Sequence, residues 1–475
     1  MNEMLRPLLN IVGPRGLITD EAEMRPYLTD FRDRRHGRAL CVVLPALTRE
    51  VAAVVAWANE AGQPIFPLGG NTGLCYGAVP ESGREDKPGI VLSLRRMNRV
   101  RDVDLASDLI AVDAGAILAD VHAAADSAGR QFPLHLGSEG SAQIGGLIST
   151  NAGGTGVLRY GPMRDLVAGL EVVLADGRVF NDMGGLRKEN VGYQLRQLFI
   201  GAEGTLGVIT GATLRMHPKP ARSAHAWLSV ASAAQAVALL ARFRESAGPY
   251  IEAYELVSSS QIELVRRHVE RVRIPFENIP AWSLMVELTS ADTYTDLDAM
   301  LEKILEEAFE AGLIEDAVVA VSQQQAEEIW HVRHSVSEAN KKEGIGVVHD
   351  IAVRTSQVAD FIAAADAVAA ARFPQARTQV VCHLGDGNVH YILMFPRAYW
   401  DGLADKEAYA LEVEQTLHDV AARYGGTFSA EHGVGRKLPQ ELARLTDPVR
   451  YGLMQEIKQL MDPKNLMNPG VLLSQ

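Results

Sequence analysis

The chain reads as an α+β protein of more than one domain, and three observations carry that reading. At 475 residues it exceeds what one hydrophobic core organises. Its first part, up to His217-Pro218-Lys219-Pro220, is dense in glycine and in short apolar runs of strand length. Beyond that point glycine thins out and long helical patterns alternate with strand-like runs, the pattern of helices laid over a sheet.

Taken in order, LTREVAAVVAWANEAG (47–62) predicts a capped amphipathic helix, with a Thr ahead of periodic apolar positions and a Gly behind them. PIFPLGGNTGLCYGAVP then breaks into a glycine-rich loop. GIVLSL and LIAVDAG read as short buried strands, and LADVHAAADSAG as a helix ending in Gly. A second glycine-dense segment follows, then VAGLEVVLADGRVF, a hairpin with an Asp-Gly turn. After residue 220, SAAQAVALLARFRESAG and YTDLDAMLEKILEEAFEAG are helical. AWLSV, WSLMVEL and DAVVAV are strands. WHVRHSVSEA (330–339) reads as one helix, which puts Arg333 and Ser337 four residues apart on one face.

Composition removes several classes of function. Apolar residues are 47% and charged residues 22%, ordinary for a soluble globular chain. A net charge of −13 offers no basic surplus for phosphate backbones, so no nucleic-acid partner is expected. The cysteines Cys41, Cys75 and Cys382 are few, odd in number and far apart, which fits a reducing compartment. We expect no signal peptide, no membrane span and a cytoplasmic location, with peripheral membrane contact left open.

GGNTG (69–73) and NAGGTG (151–156) leave backbone N–H groups uncrowded, which suits either plain turns or an anion such as a pyrophosphate. Neither is a Walker loop nor a GxGxxG opening a helix. In series, however, PLGGNTGL, FPLHLGSEGSAQIGG, TNAGG, RYG, GAEGTLGVIT and a terminal NPG occur in one order. This order resembles the FAD-binding type 4, vanillyl-alcohol-oxidase-like flavoproteins, and within them the D-2-hydroxyacid dehydrogenases of the D-lactate and D-2-hydroxyglutarate group. The resemblance runs from about residue 40 to the C-terminus. It implies an FAD-binding domain of two subdomains over 1–218 and a ferredoxin-like antiparallel-sheet substrate domain over 219–425. A helical C-terminal segment, 426–475, would return to the flavin.

Carried onto matching positions, the resemblance implies that Pro67, Gly69, Gly70, Asn71, Thr72, Gly73 and Leu74 wrap the FAD diphosphate. Ser138, Gly145, Ser149, Asn151, Gly153 and Gly154 would line the isoalloxazine and ribityl side, with Tyr160 nearby. Glu203, Gly204, Gly207 and Ile209 would hold the adenosine, and Asn468 would close over the flavin. Some relatives tether flavin through His or Cys. The first loop has no His, and Cys75 reads as a small apolar filler, so the FAD is expected to be non-covalent.

CHLGDGNVH (382–390) sets two imidazoles around Asp-Gly inside a strand-like run. If Asp386 and Gly387 form a two-residue type I′ turn, His383 pairs with His390, and opposed residues share a face with Cβ atoms about 4.5–5.5 Å apart. Such a pair serves either packing or an ion. Glu431, in GGTFSAEHGVG, can add a carboxylate, and two His with one carboxylate leave a catalytic position open on zinc, or on Mn or Fe. The resemblance assigns His383, His390 and Glu431 as metal ligands and His432 as catalytic base, a role suited to imidazole. The metal, most simply Zn, would hold the substrate's α-hydroxyl and carboxylate, and the Cα hydride would pass to flavin N5.

Arg333 is either a solvated helix arginine or a bidentate partner for the substrate carboxylate. The family places such an arginine here, with Ser337 standing where the 2-hydroxyglutarate enzymes tend to have Thr. Two departures bear on the substrate. In VVHDIAVR (347–354), Val348 replaces a usual Lys and Arg354 a usual Pro, and Ile392 replaces an Asn. The Ile392 change looks like the D-lactate side, whereas RKENVGYQLRQLF looks like the 2-hydroxyglutarate side. The substrate is therefore left open among D-2-hydroxyglutarate, D-malate and D-lactate. The electron acceptor would be a protein or quinone, and a homodimer is possible. The alternatives are a flavin subunit of a glycolate-oxidising complex, or an alcohol oxidase of the same fold. His122, His268 and His418 are read as lying on solvated helix faces.

Overall fold

In the computed structural model, residues 3–81 and 88–474 are described. The chain forms two compact bodies. One contains Met1–Gly154, Tyr160–Lys219 and Glu431–Gln475; the other contains Thr155–Arg159 and Pro220–Ala430.

The first body holds two sheets. One runs in the order Leu17–Ile18, Val42–Val43, Ile90–Ser93, Ile65–Leu68, with the last three strands parallel. The other is antiparallel, in the order Val100–Asp104, Leu109–Asp113, Gly207–Arg215, Val167–Leu174, Val179–Asp182. The helix Thr48–Ala61 buries Val51, Val54, Val55 and Ala58, the i, i+3, i+4, i+7 stripe that its sequence spells. It ends on Gly62 at φ 63°, a left-handed position that glycine adopts without a Cβ penalty. Thr48 is not the cap that was expected. It is the first helical residue, its hydroxyl donates to Glu171, and Glu50 accepts from the Ala46 amide instead.

The second body is built on a seven-stranded antiparallel sheet. Its order is Asp316–Val319, Arg222–Val230, Trp282–Ser290, Ile251–Ser258, Arg377–His383, Asn388–Phe395, Ile345–Ala352. Strand residues alternate between two cores. Tyr254, Leu256, Cys382, Tyr391 and Leu393 pack under the helices Ala233–Ala247, Leu297–Glu310, Val358–Arg372 and Lys406–Arg423. Val257, Val381, Ile392 and Met394 face Ser259–His268, Gln323–His334 and Val336–Glu343. This second face is interrupted by polar residues, and they form the site described below.

Three expectations change here. The run 330–339 is two helices, not one, broken at Ser335, whose hydroxyl donates to the His331 carbonyl. Arg333 therefore turns inward while Ser337, beyond the break, is exposed, and the two share no face. His418 is buried, with its ring against His349 and Phe428. His122 packs against Phe132 and His135, and His268 is tied to Glu343 at 2.5 Å.

Burial pushes the Glu287 carboxyl up, neighbouring Glu252 adds to the rise and Arg159 opposes it, leaving it at about 8 against an ordinary 4.5. The folded state thus keeps a proton that the unfolded chain releases, so stability falls as pH rises between those two values. Glu287→Gln is expected to leave Tm unchanged below pH 4.5 and to raise it at pH 8. A Tm difference that does not vary with pH would contradict this.

Candidate active site

The histidine hairpin is real, but its register differs from the one expected. His383 pairs with Asn388, Cys382 with Val389, and Val381 with His390. The loop is thus four residues, Leu384–Gly387, with only Gly387 at positive φ (86°) and its amide bonded to the His383 carbonyl. A type I′ turn needs positive φ at both central residues, and Asp386 does not supply it. The loop is pinned instead. Leu384 is fully buried, and Arg244 and Thr355 both donate to the Gly385 carbonyl, at 2.9 and 3.3 Å.

The two imidazoles still converge. His383 lies two residues along from Val381, the partner of His390, so both rings stand on one face, diagonally related. Their centroids are 5.3 Å apart and their planes nearly perpendicular, at 80°.

Each imidazole has a carboxylate behind its Nδ1. Glu255, 2% exposed, meets His383 Nδ1 through Oε1 at 2.6 Å. Asp350 Oδ1 lies 3.6 Å from His390 Nδ1. At His383 the hydrogen-bonded carboxylate holds the proton on Nδ1 and makes Nε2 the lone-pair nitrogen, the arrangement found behind metal-binding histidines, whereas Asp350 is a more distant neighbour of His390. The donor chemistry of this face therefore fits a divalent metal. Glu255 Oε2 also accepts from Arg333 Nε and Nη2, both at 2.7 Å. Burial pushes the Glu255 carboxyl up, but the charges and hydrogen bonds of His383 and Arg333 outweigh it and hold it at about 2. With that edge of the guanidinium engaged, Arg333 retains the two Nη1 N–H groups and the outer Nη2 N–H as donors for a ligand.

Asp350 is the hinge of a second connection. Its Oδ1 accepts from Asn388, and its carbonyl and Oδ2 both accept from the Ala430 amide. Glu431 is the next residue after Ala430. Sequence reasoning missed both Glu255 and Asp350. The available signal was an acid inside an apolar run, IEAYELVS in one case and VVHDIA in the other.

Within the first body, Glu431 and His432 open a tightly held loop. Glu203 accepts from the Val434 and Gly435 amides, both at 2.8 Å, while Cys75 donates to the Gly433 carbonyl and its own carbonyl accepts from Arg436. The Glu203 carboxylate is therefore spent on the chain beside His432, not left open to adenosine. Asn468, 3% exposed, donates to the carbonyls of Gly77 and Glu203 and so ties the terminal segment to both glycine-rich motifs.

The first glycine loop fits a diphosphate. Among the described residues, the amides of Gly70 to Leu74 donate to no other protein group. Gly70, Asn71 and Thr72 border a cavity of about 520 Å³ shared with Arg25, Thr29 and Ser141. Gly70 also has no room for a side chain, because a Cβ would stand 2.0 Å from the Ser141 carbonyl oxygen. Of the remaining flavin candidates, Pro67 ends in a strand paired to Leu92, and Gly204 packs on Pro67. Ser149 caps its own helix through the Gly145 carbonyl, and Asn151, at φ 52°, accepts from Arg164. Gly154 backs onto the His135 carbonyl, Tyr160 accepts from Gln131, and Gly207 and Ile209 lie inside a buried strand. Ser138 accepts from the Ser141 and Ala142 amides, and Gly153 follows buried Ala152.

A glycine loop with unengaged amides suits an anionic cofactor such as a dinucleotide, and the comparisons with known proteins place the chain among FAD-linked oxidoreductases. Residues 39–182 match a family described as FAD binding domain, and residues 219–472 match FAD linked oxidases, C-terminal domain. The chain belongs to the FAD-linked oxidase family. It is 35% identical to a D-2-hydroxyglutarate dehydrogenase of Xanthomonas citri pv. viticola, covering 96% of this chain and 94% of that one. The mitochondrial D-2-hydroxyglutarate dehydrogenase of Arabidopsis thaliana is 31% identical, over 97% of this chain and 79% of the relative. Among solved structures, p-cresol methylhydroxylase aligns with a TM-score of 0.77 at 17% identity, over 100% of this chain and 97% of that one. An alkyldihydroxyacetonephosphate synthase aligns at 0.73 and 18%, over 98% and 84%. These last two show the vanillyl-alcohol-oxidase-type fold. Among the described residues no helix is long and apolar enough to cross a membrane.

Proposed function

We propose that the protein oxidises D-2-hydroxyacids to 2-oxoacids and passes the electrons to a protein or quinone acceptor. The observation that carries this is the pair of imidazoles on one sheet face, with Glu255 hydrogen-bonded to His383 Nδ1. His383 and His390, with Glu431 as third ligand, would hold a divalent metal, most simply Zn, which would supply Lewis-acid polarisation of the α-hydroxyl, while a bound FAD would supply the hydride acceptor. Arg333 Nη1 donates to the substrate carboxylate. His432 accepts the hydroxyl proton on a ring nitrogen, so the substrate loses one proton and one hydride.

The relatives' names nominate D-2-hydroxyglutarate, but one feature favours a substrate with an apolar side chain. Val348 and Ile392, the two departures from the 2-hydroxyglutarate pattern, are direct cross-strand partners, two residues along from the Asp350–His390 pair and so on the same face. The wall beside His390 is thus hydrocarbon where a second carboxylate would need donors. Purified protein with an artificial acceptor should therefore show higher kcat/KM for D-lactate and its longer apolar homologues than for D-2-hydroxyglutarate. EDTA should abolish turnover and L-isomers should be inactive. Chelator-resistant turnover would remove the metal from the reaction. Activity appearing only with added partner subunits would favour the glycolate-oxidase reading.

A further inference from the structure

We propose that His122, His135 and Glu139 form a second divalent transition-metal site, in the first body and separate from the histidine hairpin. The three ligand atoms lie within 4.8 Å of one another. His122 sits on the helix Leu118–Ser127, and His135 and Glu139 follow in the loop beyond the strand Arg130–Gln131.

The argument turns on which nitrogen of His122 carries the proton. Nε2 faces the Leu134 carbonyl at 3.0 Å, and a carbonyl only accepts, so Nε2 is the N–H. With Nε2 engaged, Nδ1 is turned toward Glu139 Oε2, 3.6 Å away, a separation longer than a hydrogen bond and one that an ion held by both atoms fills. On the other oxygen, Glu139 Oε1 lies 2.9 Å from His135 Nδ1. A tetrahedral ion with bonds of about 2.0–2.1 Å sets its ligand atoms about 3.3 Å apart, and the 3.6 Å between His122 Nδ1 and Glu139 Oε2 is close to that value.

The position is also prepared and accessible. The Leu136 amide donates to Glu139 Oε1 and fixes the carboxylate, while the His122 ring is held between Phe132 and His135. His135 is half-exposed and His122 is mostly covered, 52% and 19% by side chain, so an ion enters from solvent and retains water in the open position. Two imidazoles and one carboxylate select borderline ions such as Zn²⁺, Co²⁺ or Ni²⁺ over Mg²⁺ or Ca²⁺.

The test is a metal count on the FAD-loaded full-length chain, stripped with EDTA and dialysed against Zn²⁺. Two Zn²⁺ per chain are expected for the wild type, and one each for His135→Asn and His383→Asn. The wild-type count in both His135→Asn and Glu139→Gln would overturn the proposal. So would a single wild-type Zn²⁺ that only His383→Asn removes. A single Zn²⁺ that only His135→Asn removes would uphold this site and reject the metal reading of the hairpin. His135→Asn and Glu139→Gln alter partly exposed side chains, so folding is not at risk in the two variants that decide the proposal.

Discussion

His432→Ala should retain yellow, bound flavin yet lose flavin reduction by substrate, by a factor of about 10²–10⁴, the usual worth of a positioned general base. The substitution isolates the base because the rest of the loop is secured by main-chain contacts. Glu203 holds the amides of Val434 and Gly435, and Cys75 holds the Gly433 carbonyl. Gly435 has no space for any side chain, since a Cβ would lie 1.9 Å from the Cys75 carbonyl oxygen. These contacts run through Glu203, Cys75 and the main chain, and they remain when the imidazole of His432 is removed. Anaerobic mixing with substrate, followed at the flavin absorbance, reads the effect directly. Bleaching at the wild-type rate would take His432 out of the base role.

Glu255→Ala should be the second most damaging change, and it should act on two properties at once. One carboxylate fixes the His383 tautomer and neutralises Arg333, so its loss affects metal and substrate together. Zn²⁺ affinity should fall about 10–100-fold, the usual effect of deleting the partner behind a ligating histidine. Stability should fall by about 3–5 kcal/mol, because a largely buried guanidinium loses the carboxylate it is paired with. Glu255→Gln should recover part of the stability and little of the metal affinity, since an amide holds the shape without the charge. The pH dependence has a definite sign. A carboxyl held at about 2 stabilises the fold fully above 4.5, and that stability is lost as pH falls from 4.5 toward 2. Zn²⁺ titration and Tm measured against pH test both parts. Unchanged affinity in Glu255→Ala would leave Glu255 as a structural ion-pair partner only.

The strongly periodic elements were legible in the sequence because each records its own burial. The stripe Val51, Val54, Val55, Ala58 names both the helix and its buried face. What stayed hidden depends on partners distant in the chain. The Asp-Gly signal located two hairpins but not their loop lengths. At Asp176-Gly177 the Leu174 amide bonds the Arg178 carbonyl around a three-residue loop, and at Asp386-Gly387 the loop has four. In both, the glycine takes positive φ while the residues before it do not, so local turn preference yielded to what the loop packs against. The break at Ser335 was invisible because VRHSVSEA keeps helical composition through it. Glu255 was overlooked because its partners, Arg333 and His383, are 78 and 128 residues away.

The four-residue loop of the hairpin has a consequence for how the protein is assembled and maintained. Buried Leu384, the bonds from Arg244 and Thr355 to the Gly385 carbonyl, and the bond from Val353 to the Gly387 carbonyl fix the loop by protein contacts alone. Zinc fingers, by contrast, are unfolded until the ion arrives. For the hairpin site proposed above, removal of the ion with EDTA is therefore expected to be reversible, silencing the protein without lowering its Tm, and re-addition of Zn²⁺ to restore turnover.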